Sequence, residues 1–418
     1  MRKLLVIFLV ASLFISFSPA VTASSKTPSL PETIKNQLKV MAKPPIVKLS
    51  ARSAKSSIEK SIHITPVDAK GKVNNIFRYN GDAQQAGTSF PNNGFVKNIA
   101  VTTTHSNGSL TVEFDFKGAQ FELYEKGQGG KYRLSVDEGN GYQFVTADAQ
   151  NAAPSDGGLY HRLVKFESAK LRKIRIEYNE TYFGGVIIGL NDKILAPSTP
   201  IKGKIMFFGD SFTEGGSAGA GSIQGYAPIT AASLGLQGWY SGVGGTGYLN
   251  SGPKGRVTFQ KRIKHDILTY KPDILVIAGG INDESFPAND VKAAAVKLYK
   301  TIQTESPDTK VFVVSGWSNK GNPPKARLEI RDALKQAALE CKLPFIDVID
   351  GITYNEEGTV LIVKGAWIVG EGNAGNPQKT GNATKYISAD GTHPTKEGHA
   401  YLGERLAYEI IRIFKDNK

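Results

Sequence analysis

Ser211 is the residue of this sequence best placed to act as a nucleophile. It follows the apolar run Ile205–Phe208 and stands in the polar turn Gly209-Asp210-Ser211. The run is too short for a helix and does not alternate, which is typical of a central parallel strand covered on both faces. Functional residues of such sheets lie at the carboxyl ends of strands. We therefore expect Ser211 at the rim of a parallel sheet, although a serine here could also simply cap a helix.

A serine hydroxyl becomes a useful nucleophile when a base takes its proton and a carboxylate orients that base. Among six histidines, His393 has the most suitable setting, because it lies three residues after Asp390 in a polar loop just before an amphipathic segment. The other five lack a comparable setting: His63, His105, His161, His265 and His399. The alternative interpretation of Asp390 and His393 is a pair that stabilises a loop.

Acyl transfer also needs hydrogen-bond donors directed at the developing oxyanion. Two further strand ends could supply them, the glycine pair Gly244-Gly245 and Asn282 in Gly280-Ile281-Asn282-Asp283. Asn282 and Asp283 could instead only cap a turn, and that is the role we expect for Asp283. The pattern Gly242–Gly247 also matches a dinucleotide fingerprint, but Tyr248–Pro253 cannot open the helix that such a site requires.

Four short blocks of this sequence resemble, in order, those of the SGNH (GDSL-type) hydrolases: Gly209-Asp210-Ser211, Gly244-Gly245, Gly280–Asp283 and Asp390–His393. The resemblance covers roughly residues 200 to 415. It implies Ser211 as nucleophile, His393 as base and Asp390 as the partner of that base. It also implies an oxyanion hole from the Ser211 N–H, a block-two glycine N–H and the Asn282 side chain. On spacing, we take Gly245 rather than Gly244 for that glycine. No metal or cofactor is expected.

The hydrophobic pattern predicts two folded domains. Residues 63–195 contain short alternating segments such as Leu110–Phe116 separated by Gly-rich turns, which favours an all-β sandwich of the jelly-roll type. Residues 196–203 form the predicted boundary. From 200 to 418, strands alternate with helical patterns, among them 256–270, 288–305 and 395–414, which predicts a three-layer α/β/α domain with a parallel sheet. The fold class is therefore α/β behind an all-β domain.

The first 62 residues are interpreted as a signal peptide and a linker. Residues 1–23 carry Arg2 and Lys3, an apolar run and then small residues, which indicates export. Residues 24–62 hold eight Lys and Arg against two Glu. This basic arm is either a solvated tether or a contact for an anionic cell-surface polymer. The net charge is +13, but the sequence shows no signature of a nucleic-acid-binding module. The lone Cys341 allows no internal disulfide, and no feature specifies an oligomeric state.

Residues 352–389 interrupt the alternation of strands and helices. Val360–Val363 and Ala366–Val369 flank Lys364-Gly365 like a hairpin, and a Gly/Asn-rich stretch then leads to Asp390. Long loops in compact domains are often functional, so we interpret this one as a wall of the substrate site. Trp317 and Trp367 are candidate sugar platforms, with coverage of the core as the alternative for each.

A β-sandwich followed by an SGNH domain resembles the layout of carbohydrate esterases. The resemblance implies a secreted, periplasmic or cell-surface serine esterase that removes O-acetyl groups from a polysaccharide. Fold does not determine the substrate, so three alternatives stay open. They are a lipase or lysophospholipase, a glycan O-acetyltransferase that passes the same acyl group to a sugar, and a glycan-binding protein without catalysis.

Overall fold

The structure is a computed structural model that describes residues 39–80, 83–87, 89, 92–98, 109–219, 223–253, 255–318, 323–370 and 381–416. The predicted signal peptide, residues 1–23, and the first part of the predicted basic arm, residues 24–38, lie outside the described residues. None of the helices described within these ranges is long and apolar enough to cross a membrane.

Residues 39–195, called here the β region, contain strands that all pair antiparallel. The strands are β1 (Ile46–Leu49), β2 (Ser61–Ile64), β3 (Arg78–Asn80), β4 (Ala83–Gln85), β5 (Val96–Asn98), β6 (Leu110–Lys126), β7 (Lys131–Asp137), β8 (Gln143–Phe144), β9 (Gln150–Asn151), β10 (Leu159–Asn179), β11 (Tyr182–Gly189) and β12 (Lys193–Leu195).

Two long strands, β6 and β10, organise the β region. They pair along most of their length, with a register shift between Lys165 and Lys170, and the shorter strands add to either half. Phenylalanines of β6 such as Phe114 and Phe121 are fully buried in the hydrophobic core of the β region. The predicted arm of residues 24–62 extends into this sheet, because β1 pairs with β10 and β2 begins at Ser61. The jelly-roll arrangement of these strands stays a prediction.

Residues 204–416, called here the α/β region, hold the second sheet and the helices. Its strands are β13 (Lys204–Gly209), β14 (Gln237–Gly242), β15 (Ile274–Ala278), β16 (Lys310–Val314), β17 (Phe345–Asp347), β18 (Ile352–Tyr354) and β19 (Val360–Val363). Its α-helices are α1 (Ser211–Glu214), α2 (Tyr226–Leu234), α3 (Phe259–Ile263), α4 (Ala288–Glu305), α5 (Lys325–Glu340), α6 (Ala383–Tyr386) and α7 (Lys396–Asp416).

The second sheet has the order β14-β13-β15-β16-β17-β18-β19, with parallel pairing from β14 to β17 and antiparallel pairing beyond. The chain leaves β13 to form β14 on one side and then returns to form β15 on the other. The carboxyl end of β13 therefore lies at the point where the strand order reverses, which is where α/β sheets bind ligands. A hydrophobic cluster covers each face, which explains why the strands are almost continuously apolar.

Two elements differ from the predicted ones. The helix predicted at 256–270 is a short α-helix that passes into a π-helical turn, Lys264–Leu268. The hairpin predicted to pair 360–363 with 366–369 is wrong, because β19 pairs with β18 instead. The reason is that Val360–Val363 extends the sheet edge that β17 and β18 have already formed, whereas Ala366–Val369 contributes Trp367 and Ile368 to the core.

The β region contacts the α/β region at two places. The N–H of Ala149 donates to Gln224 Oε1 at 2.8 Å, and Lys396 pairs with Asp148. At the second place, Asn80 Nδ2 of the β region donates to the carbonyl of Gly238 in β14. The first pair of contacts involves Lys396, three residues beyond His393, so a loop of the β region lies close to the candidate site.

Candidate active site

Ser211 begins a one-turn helix directly after β13. Asp210 caps this turn, since its Oδ1 accepts the N–H of Phe212 at 3.0 Å. Gly209 is required for close approach, because a β carbon there would lie 2.3 Å from Thr213 Oγ1 and 2.4 Å from the Ala278 carbonyl. This tight strand-to-helix turn fixes Ser211 at the sheet rim.

The structure brings Ser211, His393 and Asp390 into one hydrogen-bonded chain. His393 Nε2 lies 2.8 Å from Ser211 Oγ, and His393 Nδ1 lies 2.7 Å from Asp390 Oδ2. Asp390 Oδ1 also accepts the N–H groups of Thr392 and His393 and the Ser388 hydroxyl. Partial burial opposes ionisation of Asp390, but these hydrogen bonds hold the pKa of its carboxyl well below the ordinary range. A permanent carboxylate therefore orients the imidazole.

Packing around the imidazole fixes its position. The Phe212 ring lies 5.5 Å from the His393 ring, and a β carbon on Gly216 would be 2.7 Å from His393 Cδ2. Behind it, His399 in the first turn of α7 accepts the Tyr226 N–H at Nδ1 and donates from Nε2 to the Gly216 carbonyl. Burial lowers the pKa of His399 to about 4. This second histidine is thus a neutral structural link.

The glycine pair Gly244-Gly245 follows β14 and reaches the side of Ser211. A β carbon on Gly244 would be 3.4 Å from Ser211 Cβ, whereas the atoms nearest to the same position on Gly245 belong to Pro253, Gly252 and Arg256. Gly245 adopts φ +74°, a left-handed conformation that favours glycine. The Gly244 N–H donates to Glu214 Oε2 at 2.8 Å. The Gly244 N–H is therefore engaged by Glu214, and Gly245 as the oxyanion donor stays a prediction.

Asn282 and Asp283 follow β15 and connect its carboxyl end to the loop that follows β14. Asn282 Nδ2 donates to the Thr246 carbonyl at 3.0 Å, which directs its amide towards this loop. Asp283 is buried, and its carboxylate accepts the N–H groups of Tyr248, Leu249 and Asn250, each at 2.9 Å. Burial raises the pKa of Asp283, and these three hydrogen bonds oppose the shift. Asp283 therefore does more than cap a turn, because it holds a neighbouring loop.

A second buried carboxyl lies next to the nucleophile. Asp210 is fully buried, and burial raises its pKa to about 7 despite the hydrogen bond from Phe212. Beneath it, the buried Arg262 donates to the Gly209 carbonyl at 2.7 Å and pairs with Asp266. Within the described ranges, no group of three or more His, Cys, Asp or Glu is arranged to hold a metal.

The prediction that Trp317 and Trp367 are sugar platforms is wrong. Their exposed fractions are 0% and 1%, and both belong to the core cluster on one face of the second sheet. Trp317 stacks on Phe212 with ring centroids 6.0 Å apart. The two rings support the site from behind, so neither can offer a face to a sugar.

Sequence reasoning missed two roles at the site, that of Glu214 and that of Asp283, which was expected only to cap a turn. Ser211 and Glu214 are three residues apart on one helical turn and so share a face, a spacing that is visible in the sequence. Asp283 stands in a strand-end block, where a carboxylate can accept N–H groups of a neighbouring loop. Which loop it reaches depends on the tertiary fold.

The fold and these blocks define the class of protein. Residues 207–401 match the family of GDSL-like lipases and acylhydrolases. This part of the chain therefore resembles the SGNH (GDSL-type) hydrolases, and the fold of the chain resembles that of carbohydrate esterases.

Similar solved structures share the fold across both regions. A family two carbohydrate esterase from Clostridium thermocellum, solved with cellohexaose, is 18% identical with a TM-score of 0.55, covering 81% of this chain and 99% of that one. A family two carbohydrate esterase from Cellvibrio japonicus is 12% identical with a TM-score of 0.55, covering 86% and 99%. The salicylyl-acyltransferase SsfX3 of a tetracycline biosynthetic pathway is 13% identical with a TM-score of 0.57, covering 86% and 99%. No curated protein matches the sequence significantly.

Proposed function

We propose that this protein is an exported serine esterase that removes O-acetyl groups from a polysaccharide through an acyl-enzyme. The observation that carries the proposal is the continuous hydrogen-bonded chain from Ser211 Oγ through His393 to Asp390. A nucleophile, a base and an orienting carboxylate in this order are the requirements of nucleophilic acyl transfer.

The reaction has two halves that use the same groups. Ser211 Oγ attacks the ester carbonyl carbon while its proton passes to His393 Nε2. The tetrahedral intermediate then expels the sugar alkoxide, which takes that proton from His393 to become the sugar hydroxyl, and an acetyl group stays on Ser211. Water attacks the acetyl carbonyl with His393 again as the base, and acetate leaves. Asp390 keeps the Nδ1 proton of His393 in place throughout and stabilises the imidazolium.

The donors for the oxyanion would be the Ser211 N–H, the Gly245 N–H and the Asn282 amide. Asn282 Nδ2 carries two hydrogens, and the Thr246 carbonyl accounts for one of them. Removal of one such donor typically costs about 10²- to 10³-fold in rate. Asn282→Ala should therefore lower kcat by about that factor.

Two features support a polymeric substrate. The side chains of Asp390 and His393 are 43% and 25% exposed, so the site is shallow and opens at the surface. The loop with Asp148 and Ala149 brings the β region close to this opening. We propose that the β region, as a jelly-roll type of sandwich, forms one side of a groove for the chain of the glycan. The predicted signal peptide supports export.

The test is acetate release from a panel of O-acetylated polysaccharides and from p-nitrophenyl acetate. Wild type should release acetate, and Ser211→Ala should abolish release. Ser168→Ala is the matched control, since Ser168 is exposed on β10 in the β region and should leave the rate unchanged. Activity that survives in Ser211→Ala would overturn the assignment of the nucleophile.

The same assay separates the alternatives. Cleavage of long-chain esters without acetate release from any glycan would favour a lipase or lysophospholipase. Acetylation of an added sugar at the expense of free acetate would favour an acetyltransferase. Glycan binding that is equal in wild type and Ser211→Ala, without any turnover, would indicate a binding protein.

A further inference from the structure

A cavity of about 250 Å³ lies at the edge of the second sheet opposite to the candidate active site. It is lined by residues at the amino ends of the parallel strands β13 and β14, whereas Ser211 follows the carboxyl end of β13. The six residues of β13 separate the two places by about 20 Å. The cavity is therefore not part of the site described above.

Three half-buried aromatic side chains line this cavity: Tyr79 of β3, Trp239 of β14 and Tyr270, which stands shortly before β15. Tyr270 and Trp239 pack on each other with ring centroids 3.5 Å apart, and both also pack against the hydrophobic core of the α/β region. Tyr79 packs against the core of the β region. These contacts hold the rings in place before a ligand binds, which reduces the entropy that binding must remove.

Polar groups stand among the rings. The indole N–H of Trp239 is a buried donor that has no acceptor among the described residues, and such a group calls for a partner. Gln237 adds a side-chain amide, and Thr269 Oγ1, which donates to the Lys264 carbonyl at 3.0 Å, can still accept. Among the described residues that line the cavity, only Lys204 is charged. Lys204 and Thr269 are exposed, so the cavity opens to solvent beside them.

This combination suits a neutral sugar ring. The C–H faces of a sugar ring pack on aromatic side chains, and its hydroxyls both donate and accept hydrogen bonds. An aromatic and apolar lining with a few polar groups is the usual composition of a small-molecule site. A multiply charged anion would meet only one cation here, and a purely apolar ligand would satisfy none of the polar groups.

We propose that this cavity is a second, non-catalytic binding site for one sugar unit of a glycan chain, with Trp239 as its stacking platform. The choice of a glycan as the ligand rests on the proposed function. Because the cavity and Ser211 lie at opposite edges of the sheet, a polymer held in the cavity leaves the triad free. Such a site keeps the enzyme close to its substrate between turnovers, since it raises the effective concentration of the polymer.

The test uses xylohexaose and cellohexaose, which carry no acetyl group and are therefore not consumed by the proposed reaction. The chain has three tryptophans, and the other two, Trp317 and Trp367, are fully buried. Acrylamide in solution should therefore quench the fluorescence of Trp239 and leave that of the other two largely unchanged. A sugar bound in the cavity should shield Trp239 and lower the quenching constant. The sugar concentration that gives half of this protection measures the affinity of the cavity itself.

Three variants keep Trp239 as the probe. Tyr79→Ala removes the ring on the side of the β region and should raise the half-protection concentration at least about tenfold. Gln237→Ala removes one polar, half-buried side chain and should raise this concentration by about two- to tenfold with the fold intact. Tyr182→Ala, a half-buried tyrosine of β11 that does not line the cavity, is the matched control and should change nothing. Trp239→Phe should abolish the acrylamide-sensitive emission.

The outcomes are distinguishable. Protection by either sugar that weakens in Tyr79→Ala and Gln237→Ala supports the site. Absence of protection, or equal half-protection concentrations in wild type and both variants, overturns it. Protection by octanoate in place of the sugars also overturns it and makes the cavity an apolar site. Failure of the proposed function would look different, since wild type would then release no acetate while the sugars still shield Trp239.

Discussion

Asn250 and Asp283 exchange hydrogen bonds between two loops of the site. The Asn250 N–H donates to Asp283 Oδ1 at 2.9 Å, and Asn250 Nδ2 donates back to the carbonyl of Asn282 at 2.7 Å. Through this exchange the loop that follows Gly244 and the turn that carries Asn282 hold each other. The two oxyanion donors that come from different strands are therefore positioned as one unit.

Substitution of Asp283 should loosen this unit. In Asp283→Asn, one carboxylate oxygen becomes an NH₂ group that faces a backbone N–H, so a buried donor loses its acceptor. We expect a loss of about 2–3 kcal/mol in unfolding free energy, together with a lower kcat. Urea unfolding and acetate release would measure the two effects. Asp308→Asn, in an exposed turn, should change neither. An unaltered kcat would mean that the loop is held by other contacts.

Removal of the charge from Asp390 should impair catalysis more than stability. Asp390→Asn leaves the His393 ring free to adopt the wrong tautomer, and kcat should fall by about 10³- to 10⁴-fold. Ser388→Ala removes only one of the hydrogen bonds to Asp390 and should cost about tenfold or less. Initial rates with p-nitrophenyl acetate measure both. Equal losses in the two variants would argue against a distinct role for the carboxylate.

The buried carboxyl of Asp210 should make the protein less stable as pH rises. Its pKa is about 7 when folded and 3.8 in the unfolded chain. As pH rises, the Asp210 carboxyl therefore ionises in the unfolded state before it does in the folded state. The unfolding free energy falls between about pH 4 and about pH 7, by about 4 kcal/mol in total.

Asp210→Asn removes this cost. The variant should gain up to about 4 kcal/mol near pH 8, and the gain should vanish near pH 4. Denaturant unfolding across this range measures the difference. A gain that does not depend on pH would point to packing instead of charge.

His399 should act in the opposite direction. Its pKa is about 4 when folded and 6.5 in the unfolded chain. Below about pH 6.5 only the unfolded state takes up the proton, so stability should fall by about 3 kcal/mol down to about pH 4. His399→Gln lacks this titration and should show a flatter profile. If the unfolding free energies of the two proteins showed the same dependence on pH, His399 would not be the group responsible.

Much of the α/β region could be predicted because its patterns are local. The apolar run of β13, the amphipathic period of α4 and the final helix α7 lie within a few residues of their predicted bounds. The candidate triad could also be proposed from sequence, since nucleophile, base and carboxylate stand in short blocks at strand ends. The structure brings these three side chains together.

What could not be predicted depends on tertiary contacts. An aromatic residue near a site can face a ligand or the core, and the packing of Trp317 on Phe212 decides for the core. The length of β10, 21 residues, arises from pairing with β1, β6 and β7, and the local sequence pattern does not show these partners.

The separation of Ser211 from His393 also has a consequence for assembly. The two residues are 182 positions apart in the chain, and α7 begins three residues after His393. Contacts of such long range form late, because a large loop must close before they bring any stabilisation. A chain still emerging from the ribosome would therefore carry an unpaired nucleophile, and hydrolytic competence would appear only when the last helix docks on α2.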